Sequence, residues 1–186
     1  MPLATLPSLT PALPEIFLAI SAMLLLMLGV FSSEENNTRM VSYASVLVLI
    51  VAIPFIGLVT EGRSVTFGGA FVTDTFAVYI KALVLVSAAT VIIMSKDYLK
   101  TQGIERFEFP VLIVLATLGM MMMISANDLI ALYLGLELQS LSLYVIASFQ
   151  RDSARSAEAG LKYFVLGALA SGLLLYGMSM IYGFAG

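Results

Sequence analysis

Apolar residues in this chain come in long, nearly unbroken runs. Six stretches are long and apolar enough to cross the hydrocarbon layer, which takes about 20 residues of helix. They cover residues 12–31, 40–60, 72–95, 110–125, 128–149 and 157–183. Membrane β-strands would be shorter and would alternate apolar with polar positions; these runs do not. In lipid a helix satisfies its own backbone donors and acceptors. The pattern therefore predicts an all-α fold: one polytopic transmembrane helix bundle of about six spans, forming a single domain.

The polar positions between the runs make short linkers, none long enough for a soluble domain. Residues 32–39 carry Glu34, Glu35 and Arg39; residues 61–71 carry Glu61 and Arg63. Residues 96–109 are the longest and most charged linker. Ala126 and Asn127 make a tight turn, with Asp128 placed to cap the next helix. Residues 150–156 carry Arg151, Asp152 and Arg155. Lysine and arginine concentrate in the first, third and fifth loops (Arg39, Lys96, Lys100, Arg106, Arg151, Arg155), against Arg63 alone elsewhere outside the spans. The positive-inside rule then puts those loops in the cytoplasm and the N-terminus on the periplasmic side. No Lys or Arg precedes the first run, so it lacks the positive start of a signal peptide. Pro2, Pro7, Pro11 and Pro14 lie before or at its beginning, where proline costs no helix bond. The first run is expected to be an uncleaved span.

Composition sharpens the class and prunes the chemistry. Of 186 residues 60% are hydrophobic and 11% charged, with a mean hydropathy of +1.02; soluble domains run near half and about a quarter. There is no Cys and no His. This removes disulfides, thiolate-held zinc and iron–sulfur clusters, and the commonest metal ligand and general base. A net charge of −3 gives no support for nucleic-acid binding. The methionines at 120–123 read as adaptable packing, and no glycine-rich phosphate loop follows a strand.

What chemistry remains lies in the ionisable residues inside the spans, which are costly there and default to functional hypotheses. Three stand well inside: Lys81, Glu137 and Lys162. Asp74 and Glu158 sit at span ends. Glu137 lies nine residues after Asp128 and twelve before Phe149, so about 13 Å and about 18 Å from the two ends, near the bilayer middle. Tyr133, Glu137, Ser140 and Tyr144 fall at helical spacing and make a polar stripe on an apolar helix. A carboxyl in such a place gains proton affinity by desolvation and loses it to a nearby cation, which is the chemistry of a switchable proton carrier. It would serve equally as a structural carboxyl tying helices together. Lys162 follows Glu158 by one turn, and its stem is long enough to snorkel to the interface. Gly160, Gly167, Ser171 and Gly172 on the same helix allow close packing, which disfavours a lipid-facing Lys162. Lys81 is expected at the depth of Glu137; it is placed either to tune Glu137 or to pair with Asp74.

These residues carry a resemblance. Residues 118–144, with Asn-Asp-Leu-Ile-Ala-Leu-Tyr-Leu-Gly-Leu-Glu-Leu-Gln-Ser-Leu-Ser-Leu-Tyr at their end, closely resemble the antiporter-like membrane subunits of proton-pumping NADH-quinone oxidoreductase, respiratory complex I. Residues 156–172, the Leu175-Tyr-Gly and Tyr182-Gly segments and the Asp74-Thr-Phe stretch with Lys81 look like the subunit N branch. The resemblance is most specific from 118 to 172 and weak before Gly68. It implies that Glu137 matches the family's proton-channel carboxylate and Lys162 its membrane-embedded partner. Family members have about fourteen helices in two inverted repeats with broken helices; six spans correspond to the leading helices and the first part of one repeat, which on their own should not pump. The resemblance further implies a bacterial inner membrane or an organellar one, other membrane-arm subunits as partners, and protons as the transported species. No cofactor is implied in this chain, since NADH, flavin, iron–sulfur clusters and quinone belong to partner subunits. Multisubunit cation/proton antiporters and membrane hydrogenases share the Glu and Lys pattern, and a purely structural scaffold is the reading without transport.

Overall fold

The computed structural model describes residues 8–31, 34–57 and 62–185, with the backbone alone for 34–37. Six helices dominate: α1 (Leu13–Phe31), α2 (Glu34–Gly57), α3 (Thr75–Thr101), α4 (Glu108–Ser125), α5 (Leu129–Ala147) and α6 (Ala154–Ala185). All six are long and apolar enough to cross a membrane, which makes the chain a multi-pass membrane protein.

The helix ends follow local chemistry. A 3-10 turn, Thr10–Ala12, leads into α1; Pro11 and Pro14 stand at this start, where their missing N–H groups would have no partner anyway. Pro2 and Pro7 lie outside the described residues. Asp74 caps α3 by accepting from the Ala77 N–H at 2.7 Å. Asp128 caps α5 by accepting from the Ile130 and Ala131 N–H groups at 2.7 and 3.3 Å. Pro110 is the third residue of α4, inside the first turn, so the fourth span starts earlier than the apolar run does.

Helices outrun their apolar windows at several ends. Residues 34–39 of the expected first linker already belong to α2, which begins at Glu34 and carries Arg39; residues 32 and 33 lie outside the described residues. Likewise α3 runs on through Lys96 and Lys100 to Thr101, and α6 starts at Ala154. Polar helix formers continue the hydrogen-bond ladder beyond the apolar stretch, because nothing in water forces the helix to stop. Residues 58–60 of the expected second span lie outside the described residues. Residues 72 and 73 of the expected third span are not helical.

Those two belong to a hairpin absent from the hydropathy pattern. Strand β1 (Ser64–Thr66) pairs antiparallel with β2 (Phe71–Thr73), with Thr66 opposite Phe71. Gly68 and Gly69, at φ +65° and +101°, make the reversal that a side chain would strain. The hairpin is tied on both sides. Thr66 Oγ1 donates to the Ser8 carbonyl at 2.7 Å, and Asn127 donates through its backbone N–H to Ala70 O and through Nδ2 to Gly69 O, both at 2.9 Å. It thus lies across the start of α1 and the α4–α5 turn.

The core is built by the first four helices. Leu18, Ala22 and Leu25 of α1, Leu49 and Ala52 of α2, Leu85 and Ile92 of α3, and Val114 and Met121 of α4 are buried together. Helix α4 is the hub, packing on α1, α2, α3 and α5. Its contact with α5 is backbone to backbone: a methyl at Gly119 would stand 2.6 Å from the Gly135 carbonyl oxygen, and one at Gly135 would stand 2.9 Å from the Gly119 carbonyl oxygen. Lipid supplies no hydrophobic drive between helices, so close approach through small residues supplies the attraction. Helix α6 packs on α5 and leaves most of its surface outward.

Candidate functional site

Glu137 lies mid-way along α5 and is half-buried. Its helix packs on α6, and Ser171 of α6 donates its hydroxyl proton to Glu137 Oε1. The Tyr133 hydroxyl is 2.8 Å from Ser171 Oγ. With the single Ser171 proton committed to the carboxylate, Tyr133 is the donor in the second bond. The three groups form a directional chain, Tyr133 to Ser171 to Glu137. Such a chain can pass a proton to the carboxylate and reset by rotation of the hydroxyls. Half of the expected stripe is therefore assembled here. Ser171 entered the sequence argument only as a small packing residue; its position opposite Tyr133 and Glu137 depends on the α5–α6 register, which spacing within one helix does not fix.

The other stripe members do different work. Tyr144 turns its ring edge-on to Tyr163 and Phe164, at centroid distances of 4.8 and 5.7 Å. Gly167 leaves room for its hydroxyl. This is an aromatic lock between α5 and α6. Ser140 is half-buried one turn from Glu137.

Lys162 pairs with Glu158 one turn back, at 2.5 Å, and both side chains are mostly exposed, at 70% and 63%. Ser171, which touches Glu137, is nine residues further along α6, a rise of about 13 Å. The structure does not bring Lys162 against Glu137. It places the cation on the same helix, bound to a neighbouring carboxylate.

Lys81 pairs with neither of the partners that its position suggested. The Asp74 carboxylate is engaged in capping α3. The Lys81 ammonium is 2.6 Å from Glu15 Oε1 of α1, with side-chain exposures of 1% and 7%. It also lies over the Phe71 ring, 5.0 Å from the centroid. Glu15 was not among the expected membrane-embedded charges. It stands in the first turn of α1 beside Pro14, where a carboxylate reads as a helix-start residue facing water. Only the structure, which sets the Lys81 side chain and Phe71 of the hairpin beside it, shows that it is buried.

At the hairpin end of α5, Asp128 Oδ2 accepts from the Tyr182 hydroxyl of α6 at 2.7 Å. That bond and the Ile130 N–H hold the Asp128 carboxyl below its ordinary range. This contact and the Tyr133–Ser171–Glu137 chain fix the register of α6 on α5. Among the described residues no group of three or more acidic side chains is placed to hold a metal ion.

A bundle of membrane-crossing helices with a carboxylate–hydroxyl chain at mid-span defines a class of protein: a polytopic membrane protein with a polar relay inside its helix bundle. Comparison with known proteins narrows the class. Residues 126–186, which hold α5 and α6, match the family model for the transmembrane region of NADH:quinone oxidoreductases and Mrp antiporters. Nearly the whole chain is similar to NADH-quinone oxidoreductase subunit N. It is 59% identical to that of Paramagnetospirillum magneticum over 96% of this chain and 36% of the relative. It is 58% identical to that of Rhodospirillum rubrum over 96% and 37%. These relatives are subunits of an enzyme complex. The chain spans a little over a third of the length of the curated relatives it matches. Among solved structures, respiratory complex I from Thermus thermophilus with bound aureothin superposes with a TM-score of 0.75 at 30% identity, over 91% of this chain and 36% of that one. An archaeal membrane-bound sulfane sulfur reductase shares the fold, with a TM-score of 0.61 at 20% identity. The resemblance, read along the whole chain and most specifically from residues 118–172, is thus matched over nearly its full length, including the part before Gly68 where it was weak.

Proposed function

We propose that the chain is a membrane-arm, antiporter-like part of a proton-translocating NADH-quinone oxidoreductase in a bacterial inner membrane, working with the other membrane-arm subunits. It carries no catalytic or redox centre of its own; NADH, flavin, iron–sulfur clusters and quinone are handled by partner subunits. Its part is to couple the energy of quinone reduction to proton movement. The observation that carries this reading is the Tyr133–Ser171–Glu137 chain at mid-span in a sequence so similar to subunit N.

Glu137 takes and yields the proton, and Ser171 and Tyr133 deliver it. A cation brought to about 4 Å at an effective dielectric of about 20 is worth roughly 4 kcal/mol, enough to change the proton occupancy of a carboxyl. Lys162 is the cation we assign to that role: its ion pair with Glu158 is exposed and inexpensive to break, and it would have to move along the roughly 13 Å of α6 that separate it from Ser171. Lys81, held by Glu15, is not free to approach Glu137 without breaking a buried pair. The matching family takes in Mrp antiporters as well, so sodium-dependent transport without NADH oxidation is the competing reading.

The test is Glu137→Gln in the native assembly, with assembly verified, followed by NADH-driven acidification of inverted membrane vesicles. The proposal expects acidification to fall severalfold while the complex stays intact. Normal pumping in a fully assembled variant would contradict the carrier role. Loss of assembly alone in both Glu137→Gln and Lys162→Ala would favour a scaffold.

A further inference from the structure

The Glu15–Lys81 pair has no part in the Glu137 chain, yet it is the most deeply buried charge in the described structure. Lys81 is fully buried and Glu15 nearly so. Apart from their mutual contact, neither Glu15 oxygen nor the Lys81 ammonium has a hydrogen-bond partner. A carboxylate offers about four acceptor positions and an ammonium three donors, so most of their capacity is unused. Ion pairs that serve only to hold helices together ordinarily come with further hydrogen bonds. Here the surroundings are built differently. Beside Glu15 lies a cavity of about 350 Å³, walled by Ala12, Ile16, Phe71, Met122 and Leu134 among others. It reaches from Glu15 to Ala131 and Leu134 of α5, the latter one turn before Glu137 in the chain. Phe71, which also walls that space, lies over the ammonium with its ring, and its strand is one of the two of the hairpin.

We propose that Glu15 and Lys81 form a second protonatable site, separate from the Glu137 chain, with Phe71 as the lid between this site and the aqueous face at the hairpin end. In the closed state the site holds a carboxylate and an ammonium. A proton arriving from water joins a Glu15 oxygen and gives a carboxylic acid; the ammonium keeps its charge and rests over the Phe71 ring, a favourable place for a desolvated cation. Release of that proton restores the pair. One proton enters or leaves, and no other bond changes.

Few other charges face Glu15. From α3 the facing charge is Lys81. The cavity residues contributed by α4, α5 and the hairpin are uncharged. On α2, which packs on α1, no residue between Tyr43 and Gly57 is ionisable.

The test reads Glu15 itself. In the full assembly in lipid vesicles, infrared difference spectra across a pH titration report the carbonyl stretch of protonated carboxyls. The expected result is a titrating band that disappears in Glu15→Gln/Lys81→Gln. That double variant leaves no unpaired buried charge, so it assembles with less loss of stability than Glu15→Gln alone. The deuterium shift of the band after transfer to heavy water is expected to be severalfold faster in Phe71→Ala. Identical spectra for wild type and the double variant would overturn the site; an unchanged exchange rate in Phe71→Ala would overturn the lid. Neither readout depends on NADH-driven pumping, so failure of the Glu137 reading would leave this result standing.

Discussion

Ser171 commits its single hydroxyl proton to Glu137 and accepts from Tyr133, so removing it leaves two partners unsatisfied. An unsatisfied buried polar group costs about 1–3 kcal/mol. Ser171→Ala is expected to slow NADH-driven acidification of vesicles more than it slows NADH oxidation, whereas Ser171→Thr, which keeps the hydroxyl, retains most of it. The Glu15–Lys81 pair predicts a different signature. Breaking a buried pair from one side costs about 3–5 kcal/mol, while replacing both partners by apolar residues is often neutral or stabilising. Glu15→Gln should therefore lower the thermal midpoint of the purified assembly, and Glu15→Leu/Lys81→Met should restore it. Equal loss in the single and double variants would contradict this. Asp128 gives a pH dependence. Its carboxyl is held below its ordinary range by the Tyr182 hydroxyl. The stabilisation it lends is complete above the ordinary carboxylate range and is lost as pH falls through the lowered value. Tyr182→Phe should flatten that acid limb in melting curves taken from the ordinary carboxylate range downward in pH. Of these residues, Glu137 was legible because it is a lone charge far from both ends of an apolar run. Glu15 was not, because a carboxylate four residues into a run looks like a helix start. Ser171 was not, because its role depends on which α5 residues it faces.

At the scale of elements, the six helices were legible from apolar length alone, and Asp128 marked one start correctly, whereas Asp74, expected within the third span, proved to be the cap of α3. The ends that differ are those where polar helix formers carry the helix past the hydrocarbon, as at Glu34, Thr101 and Ala154. The hairpin was illegible for another reason. Strands of three residues around Gly68 and Gly69 carry almost no periodic signal, and their stability comes from tertiary partners such as Ser8 and Asn127. The α4–α5 contact makes the sharpest prediction at this scale. A side chain at Gly119 meets backbone of α5, which cannot rotate away. Overpacking of this kind costs typically 1–3 kcal/mol. Gly119→Val should separate the helices that carry the core and Glu137, seen as a reduced yield of assembled complex. Gly172→Ala, where a methyl meets nothing within 4 Å, should leave the yield unchanged.

For the molecule as a whole, the distribution of apolar surface is inverted relative to a soluble protein. Leu24, Leu47, Val86, Leu166 and Leu173 point outward, a surface that in water would far exceed the few hundred Å² a monomer ordinarily exposes. In lipid it is the solvent-facing side. Charges follow the same logic: those inside the spans are paired with each other or drawn into hydrogen-bond chains, and the rest gather at the helix ends. Two acid sites result, a half-buried one between α5 and α6 and a buried one between α1 and α3, with α4 packed against α5 of the first and against α1 and α3 of the second. The central claim is that Glu137 carries protons for a complex whose redox chemistry lies in other subunits. The number of protons moved per NADH oxidised tests it most directly, measured in sealed vesicles holding the assembled complex with Glu137→Gln and, as a control, Glu137→Asp. The account predicts a lower ratio in the Gln variant and a ratio near wild type in the Asp variant. An unchanged ratio in the Gln variant would contradict it.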